Sequence, residues 1–147
     1  MSQPALVRVT VYVAVDSVTA FEVFTEEIDA WYLRGPHHFF DPARAVAIRF
    51  EPGVGGRLLE VYNEATGEGR EMARVTVWEP GARLVLRDTR DTEIDVTFEA
   101  RGDETKVTLE HRGLERLPAA EAESHARLGG RVLIAWFSDY MRERTSA

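Results

Sequence analysis

Between residues 44 and 112 the chain reads as six consecutive strands with no helix-length pattern among them. Apolar runs near 44–51, 56–63, 69–79, 83–88, 92–100 and 104–112 are separated only by "EPGVGG", "NEATGEG", "WEPGARL", "TRD" and "RGDE". Gly, Pro, Asn and Asp belong in such gaps because they supply positive φ, a preset turn or a local side-chain hydrogen bond. A parallel pairing needs a crossover of a dozen or more residues, and these connections are too short for one. The six strands are therefore predicted to form an antiparallel meander.

The remaining elements must cover that sheet. In "ALVRVTVYVAV", residues 5–15, valine falls at 7, 9, 11, 13 and 15. This period of two predicts a first strand with one buried face and an outer face carrying Arg8, Thr10 and Tyr12. Asp16 or Ser17 then offers an N-cap. "SVTAFEVFTEEIDAWY" follows, with Phe21, Phe24, Ile28 and Trp31 at helical spacing, and predicts two short helices broken near Thr25. From Pro118 to about Arg144 a long helix is predicted, roughly 40 Å at 1.5 Å per residue. Leu133, Trp136, Phe137, Tyr140 and Met141 form its apolar stripe. Gly129-Gly130 costs about 1 kcal/mol per glycine relative to alanine and predicts a kink, a break or a close backbone contact. The expected architecture is α+β: one domain over 1–147, with a curved antiparallel sheet of about seven strands wrapped around a long C-terminal helix.

Composition narrows the partners. Lys plus Arg is 18 and Asp plus Glu is 25, so the net charge is 18 − 25 = −7. The basic residues are scattered, and Lys106 is the only lysine. Neither nucleic acid nor an anionic membrane is expected as a partner, because both need clustered positive charge. The absence of cysteine removes disulfides, thiolate metal sites and cysteine nucleophiles. "MSQPALVRVT" has no signal-peptide pattern and no apolar run reaches ~18 residues, so a cytoplasmic location is expected.

The stretch "DAWYLRGPHHFF", residues 29–40, holds four aromatics and two histidines around Gly35-Pro36. Trp31 and Phe39 plug the open end of the core on one reading. On the other, Trp31, Tyr32, His37 and Phe40 form a rim that admits an apolar ligand. The adjacent His37 and His38 would point to opposite sides of an extended segment, Asp41 is the only nearby acid, and no "HExxH" pair occurs. No metal and no tightly held cofactor is expected.

His111 shares parity with Val107 and Leu109 and is expected on the concave face. The hairpins place Leu86, Ile94 and His111 in one cross-strand row, with Asp88 about one step away. A carboxylate beside an imidazole on an apolar face would fix the tautomer for proton transfer or for binding a ligand hydroxyl. A core histidine satisfied by backbone or by Asp88 fits the same placement. Glu60 is a further inward acid beside Tyr62, although bulges after Gly55-Gly56 leave its parity open. Trp136 and Tyr140 are expected to line the cavity wall. "GVGG" joins two strands and opens no helix, and no serine sits in a "GxSxG" elbow, so dinucleotide and hydrolase readings fail.

"AFEVFTEEIDAWY", "FEPGVGGRLLE", "ARVTVWEPGARLVL" and "VTLEHRGL" occur in an order and spacing that resemble the START-like (SRPBCC) helix-grip superfamily. Within it the chain is most similar to the group homologous to the activator of the heat-shock-protein-90 ATPase, and to a subgroup containing an enediyne self-resistance protein. The resemblance covers about residues 7–141 and implies a hydrophobic cavity between sheet and helix for lipids, polyketides or hormones. It implies no single reaction, because carriers, cyclases and co-chaperone domains share the fold. This chain departs from relatives at Tyr32 and Asp88, where they often carry tryptophan, and at Gly130-Arg131, where they often carry Gly-Trp. A more polar pocket is expected.

The leading expectation is a carrier, sequestering or resistance protein for a small hydrophobic or amphipathic molecule, oriented by Tyr32, Asp88, His111 and Tyr140, acting as monomer or homodimer. A cyclase- or hydratase-like enzyme using His111 with Asp88 or Glu60 is the alternative. A co-chaperone-like interaction domain using the convex face is a third, and it rests on the resemblance alone.

Overall fold

The computed structural model describes residues 6–32 and 39–146. Seven strands form one antiparallel sheet: β1 (Leu6–Val13), β2 (Ala47–Phe50), β3 (Arg57–Asn63), β4 (Glu68–Glu79), β5 (Arg83–Asp88), β6 (Glu93–Arg101) and β7 (Glu104–Arg112). The spatial order is β1-β7-β6-β5-β4-β3-β2, a meander whose last strand closes onto the first. Alternation works as expected at that seam. Val11, Val13, Val107 and Leu109 are buried inward, while Arg8, Thr10 and Tyr12 face solvent on the convex side.

Two short helices follow β1. In α1 (Ser17–Glu26) the cap is Asp16, whose Oδ1 accepts the Thr19 N–H at 2.7 Å. The break falls at Glu27 (φ −102°, ψ 18°), and α2 (Ile28–Trp31) resumes beyond it. Phe21, Phe24, Ile28 and Trp31 are all buried, so both helices turn one face into the sheet's hollow.

The C-terminal helix starts as α3 (Ala119–Gly130), continues through a wide π-helical stretch at Arg131–Ser138, and ends as α4 (Asp139–Ser146). Gly130 and Arg131 keep helical backbone angles (φ −63° and −65°, ψ −44° at both). The glycine pair therefore neither breaks nor ends the helix; it immediately precedes the change from α to π winding.

The two halves of this helix meet the sheet differently. In the C-terminal half, Leu133, Phe137 and Met141 are almost wholly buried. The Phe137 ring lies 5.2 Å from Phe24 and 5.3 Å from Trp31, centroid to centroid, in edge-on contacts. That half is solid core. In the N-terminal half, Glu121, His125, Leu128 and Gly129 line a space left open above the sheet. Among the described residues no helix is long and apolar enough to cross a membrane.

Candidate functional site

The space under α3 is a cavity of about 460 Å³. It falls within the ~300–1,000 Å³ typical of small-molecule sites. One wall is aromatic: Phe24, Trp31, Tyr32, Phe39, Phe40 and Phe50. The floor is aliphatic sheet surface, including Leu58, Met72, Leu86, Ile94 and Leu109. The end beneath α3 is polar, built by Asp88, Thr89 and Arg90 from the β5–β6 hairpin, His111 from β7, and Glu121 and His125 from α3.

The predicted cross-strand row is present. Leu86 pairs with Ile94 and Ile94 with His111 in the sheet register. His111 is buried, and its Nε2 lies 2.7 Å from Oγ1 of the fully buried Thr92. Burial first, and then repulsion from His125, push its pKa down to about 4 against the opposing pull of Asp88. His111 is thus a neutral imidazole at physiological pH. Asp88 Oδ1 accepts the N–H groups of Arg90 and Thr92, at 2.9 and 3.0 Å, and so shapes the hairpin that carries Thr92. The direct partner of the imidazole is Thr92, and Asp88 acts on it through space.

The aromatic wall is fixed by packing and hydrogen bonds together. Trp31 Nε1 donates to the Val23 carbonyl at 3.2 Å. Tyr32 stacks on Phe39 at 5.9 Å with an interplanar angle of 9°. Burial, and then the nearby Glu60 charge, raise the Tyr32 hydroxyl well above its ordinary pKa, so it stays a neutral donor. Phe40 is partly exposed at the rim, with the Arg70 guanidinium 3.8 Å from its ring centroid. His37 and His38 lie outside the described residues.

Several expected site residues stand elsewhere. Glu60 is completely buried and does point inward, but it is not among the groups lining the cavity. Its carboxylate accepts the N–H groups of Phe40 and Asp41 and the hydroxyl of Tyr62. Tyr62 is held in that network and under Arg44, whose guanidinium lies 4.5 Å from its ring, so it too is off the cavity. Burial and the Glu60 contact push its hydroxyl up to about 12. Tyr140 donates to Glu27 Oε1 at 2.6 Å, which turns it toward the α1–α2 junction instead. Trp136 packs behind the wall, 5.2 Å from Tyr32. Arg131 is exposed, so of the two added charges only Asp88 makes the cavity more polar.

Thr92, Arg90, Glu121 and His125 were not legible as site residues. "TRD" reads as a solvated turn, and "AAEAESHARLGG" as an ordinary polar helix face. The available signal was the i, i+4 spacing of Glu121 and His125, one turn apart on the same face.

The family model described as "Activator of Hsp90 ATPase homolog 1-like protein" matches residues 16–141. No curated protein matches the chain. Among solved structures, the anthrahydroquino-gamma-pyrone synthase Txn09, solved as a complex, is 29% identical with a TM-score of 0.62, covering 93% of this chain and 97% of its own. Protein NE0264 from Nitrosomonas europaea is 12% identical with a TM-score of 0.66, covering 97% of each chain. An AHSA1-like protein from Aeromonas hydrophila is 16% identical with a TM-score of 0.64, covering 94% of each. The last two likenesses establish the helix-grip fold alone.

Proposed function

The chain belongs to the activator of Hsp90 ATPase homolog 1-like family, and from that premise we propose that it encloses a small, flat, amphipathic molecule between its sheet and α3. The observation that carries this reading is the cavity's two-ended chemistry. Six aromatic side chains form one wall, and the polar groups are gathered at the end under α3. A fused-ring compound with oxygen substituents at one edge fits that division. Each 100 Å² of apolar surface it buries contributes about 2.5 kcal/mol, while the polar end fixes its orientation. The 29% identical synthase is named for an oxygenated polycyclic product, which supports the same ligand class.

Titration with 1,8-dihydroxyanthraquinone, followed by tryptophan fluorescence, tests the proposal. Saturable one-to-one quenching with a raised Tm is expected, because Trp31 lies in the wall. Quenching that never saturates, with an unchanged Tm, overturns it.

A second reading is favoured by His111 standing with Asp88 inside the cavity. The imidazole there is placed to accept a hydrogen bond from a phenol and orient it, while the phenol proton passes to the ketone oxygen as the phenol oxygen attacks a side-chain ketone. An o-hydroxyaryl 1,3-diketone would close to a γ-pyrone in this way, with one water lost. Mass spectrometry of such a probe incubated with the protein separates the readings. Under binding alone the probe leaves unchanged. Under catalysis it loses one water, and His111→Ala still binds it but no longer converts it.

A further inference from the structure

We propose that Asp88, His111 and His125 form a binding site for a divalent transition-metal ion at the polar end of the cavity. The site is independent of any organic ligand. Three elements far apart in sequence converge there: the end of β5, β7 and α3. One carboxylate oxygen and two imidazole nitrogens all lie within 4.8 Å of one another. Two imidazoles with a carboxylate are a donor set for zinc, cobalt, nickel or ferrous iron, whereas calcium and magnesium select oxygen alone.

What raises this cluster above coincidence is that His111 and Asp88 are already held by hydrogen bonds, while His125 faces a carboxylate that is itself fixed. Thr92 Oγ1 lies 2.7 Å from Nε2 of His111. Glu121 Oε1 lies 4.0 Å from Nε2 of His125, and Arg90 fixes the same oxygen at 2.8 Å. Asp88 Oδ1 is held by two backbone N–H groups, at 2.9 and 3.0 Å. The His111 ring therefore keeps one nitrogen and the Asp88 carboxylate one oxygen beyond these contacts, and among the described residues His125 makes no hydrogen bond that would have to break. Ligating histidines and carboxylates are typically anchored by such outer partners.

Around zinc, ligand nitrogens ~2.0–2.1 Å from the metal stand about 3.3 Å apart in a tetrahedron. The cluster must therefore tighten by at most about 1.5 Å. The half-buried His125, on the rim of the cavity, has the freedom to supply that movement. Three protein ligands leave at least one coordination position, and it faces the cavity because all three residues line it. A dication with one carboxylate keeps a net positive charge, so an anionic oxygen such as a phenolate is the group that position favours. The site runs against the sequence expectation of no metal: it is assembled across two strands and a helix, and neither adjacent histidines such as His37-His38 nor a helical ligand pair marks it.

The test uses full-length protein stripped with chelator and titrated with Zn(II) by calorimetry, with Co(II) as a spectroscopic probe. One-to-one binding is expected, together with the intense visible absorption of low-coordinate Co(II). His125→Ala, a change at a half-buried side chain, should weaken Zn(II) binding by at least 100-fold. Asp88→Asn, which keeps the turn acceptor, should also weaken it. The double substitution His37→Ala, His38→Ala should leave affinity unchanged. Absence of one-to-one binding, retention of it in His125→Ala, or its loss only in the His37/His38 double variant overturns the proposal. Because no organic ligand is present, that result leaves the anthraquinone titration to judge the cavity's function separately.

Discussion

Glu60, buried on β3, accepts the backbone N–H of Phe40 at 2.7 Å and so pins the last aromatic of the cavity rim to the sheet. The same carboxylate takes the Asp41 N–H at 2.8 Å and the Tyr62 hydroxyl. Three donors on one acceptor-only group is an arrangement that a carboxylate meets and an amide does not. Glu60→Gln must turn an NH₂ toward one of those donors. Hydrogen bonds to charged groups are worth about 1.5–3 kcal/mol, so a loss of that size is expected in urea unfolding. Faster amide hydrogen exchange at Phe40 and Asp41, and faster proteolysis at the bond between them, should accompany it. An unchanged midpoint and cleavage rate would show that the latch does not hold the rim.

On the opposite face, Asp95 is the buried centre of an ion cluster. It accepts from Arg83 Nε and Nη2 at 3.1 and 2.8 Å and from Arg112 Nη2 at 2.8 Å. Burial alone would raise its carboxyl, but the two guanidinium hydrogen bonds override burial and hold it below the ordinary 3.8. A depressed carboxyl contributes stability that is present above 3.8 and is lost as pH falls through the lower folded-state value. Asp95→Asn should therefore destabilise the protein by about 1–3 kcal/mol at pH 7. The gap from the wild type should narrow at pH 3. Unfolding curves with an equal gap at both pH values would rule out ion pairing as its source.

The buried Thr92–His111 contact makes a different prediction. Thr92→Val is close in shape but leaves His111 Nε2 without its hydroxyl partner, at a cost of about 1–3 kcal/mol for an unsatisfied buried group. Thr92→Ser should restore most of that loss. Nitrogen-15 shifts of the His111 ring should move toward a mixed tautomer population in the valine variant and stay near wild type in the serine variant. Identical ring shifts in all three proteins would show that Thr92 does not select the tautomer.

The parts of this design differ in how plainly the residues announce them. Hairpin connections fix register by turn length, so the Leu86–Ile94–His111 row follows from counting. Glu60 resists the same counting because the β3–β4 pairing slips between Leu58 and Leu59 and again between Val61 and Asn63. The stripe through Leu133, Phe137 and Met141 marks an apolar face without saying which half of the helix lies flat on the sheet. Trp136 and Tyr140 therefore looked like cavity wall, although they belong to the half that packs solid. The polar end was hidden for the converse reason. Thr92, Glu121 and His125 occupy segments that look solvated in one dimension, and only closure of the sheet beneath α3 brings them inside.

Gly129 offers the cleanest separation of stability from function. It is buried in the cavity lining, and a Cβ placed on it meets only Leu109 Cδ2, at the ordinary contact distance of 3.6 Å. Gly129→Ala therefore replaces a poor helix former without a clash and should stabilise the protein by up to about 1 kcal/mol. Gly129→Leu retains much of that propensity and sends its branched end into the cavity, the space the ligand would occupy. The two substitutions should consequently part company: both should keep or raise Tm, the alanine variant should bind 1,8-dihydroxyanthraquinone within a few-fold of wild type, and the leucine variant should lose at least tenfold in affinity. A leucine variant that is well folded and binds as tightly as the wild type would mean that the probe sits somewhere other than beneath α3.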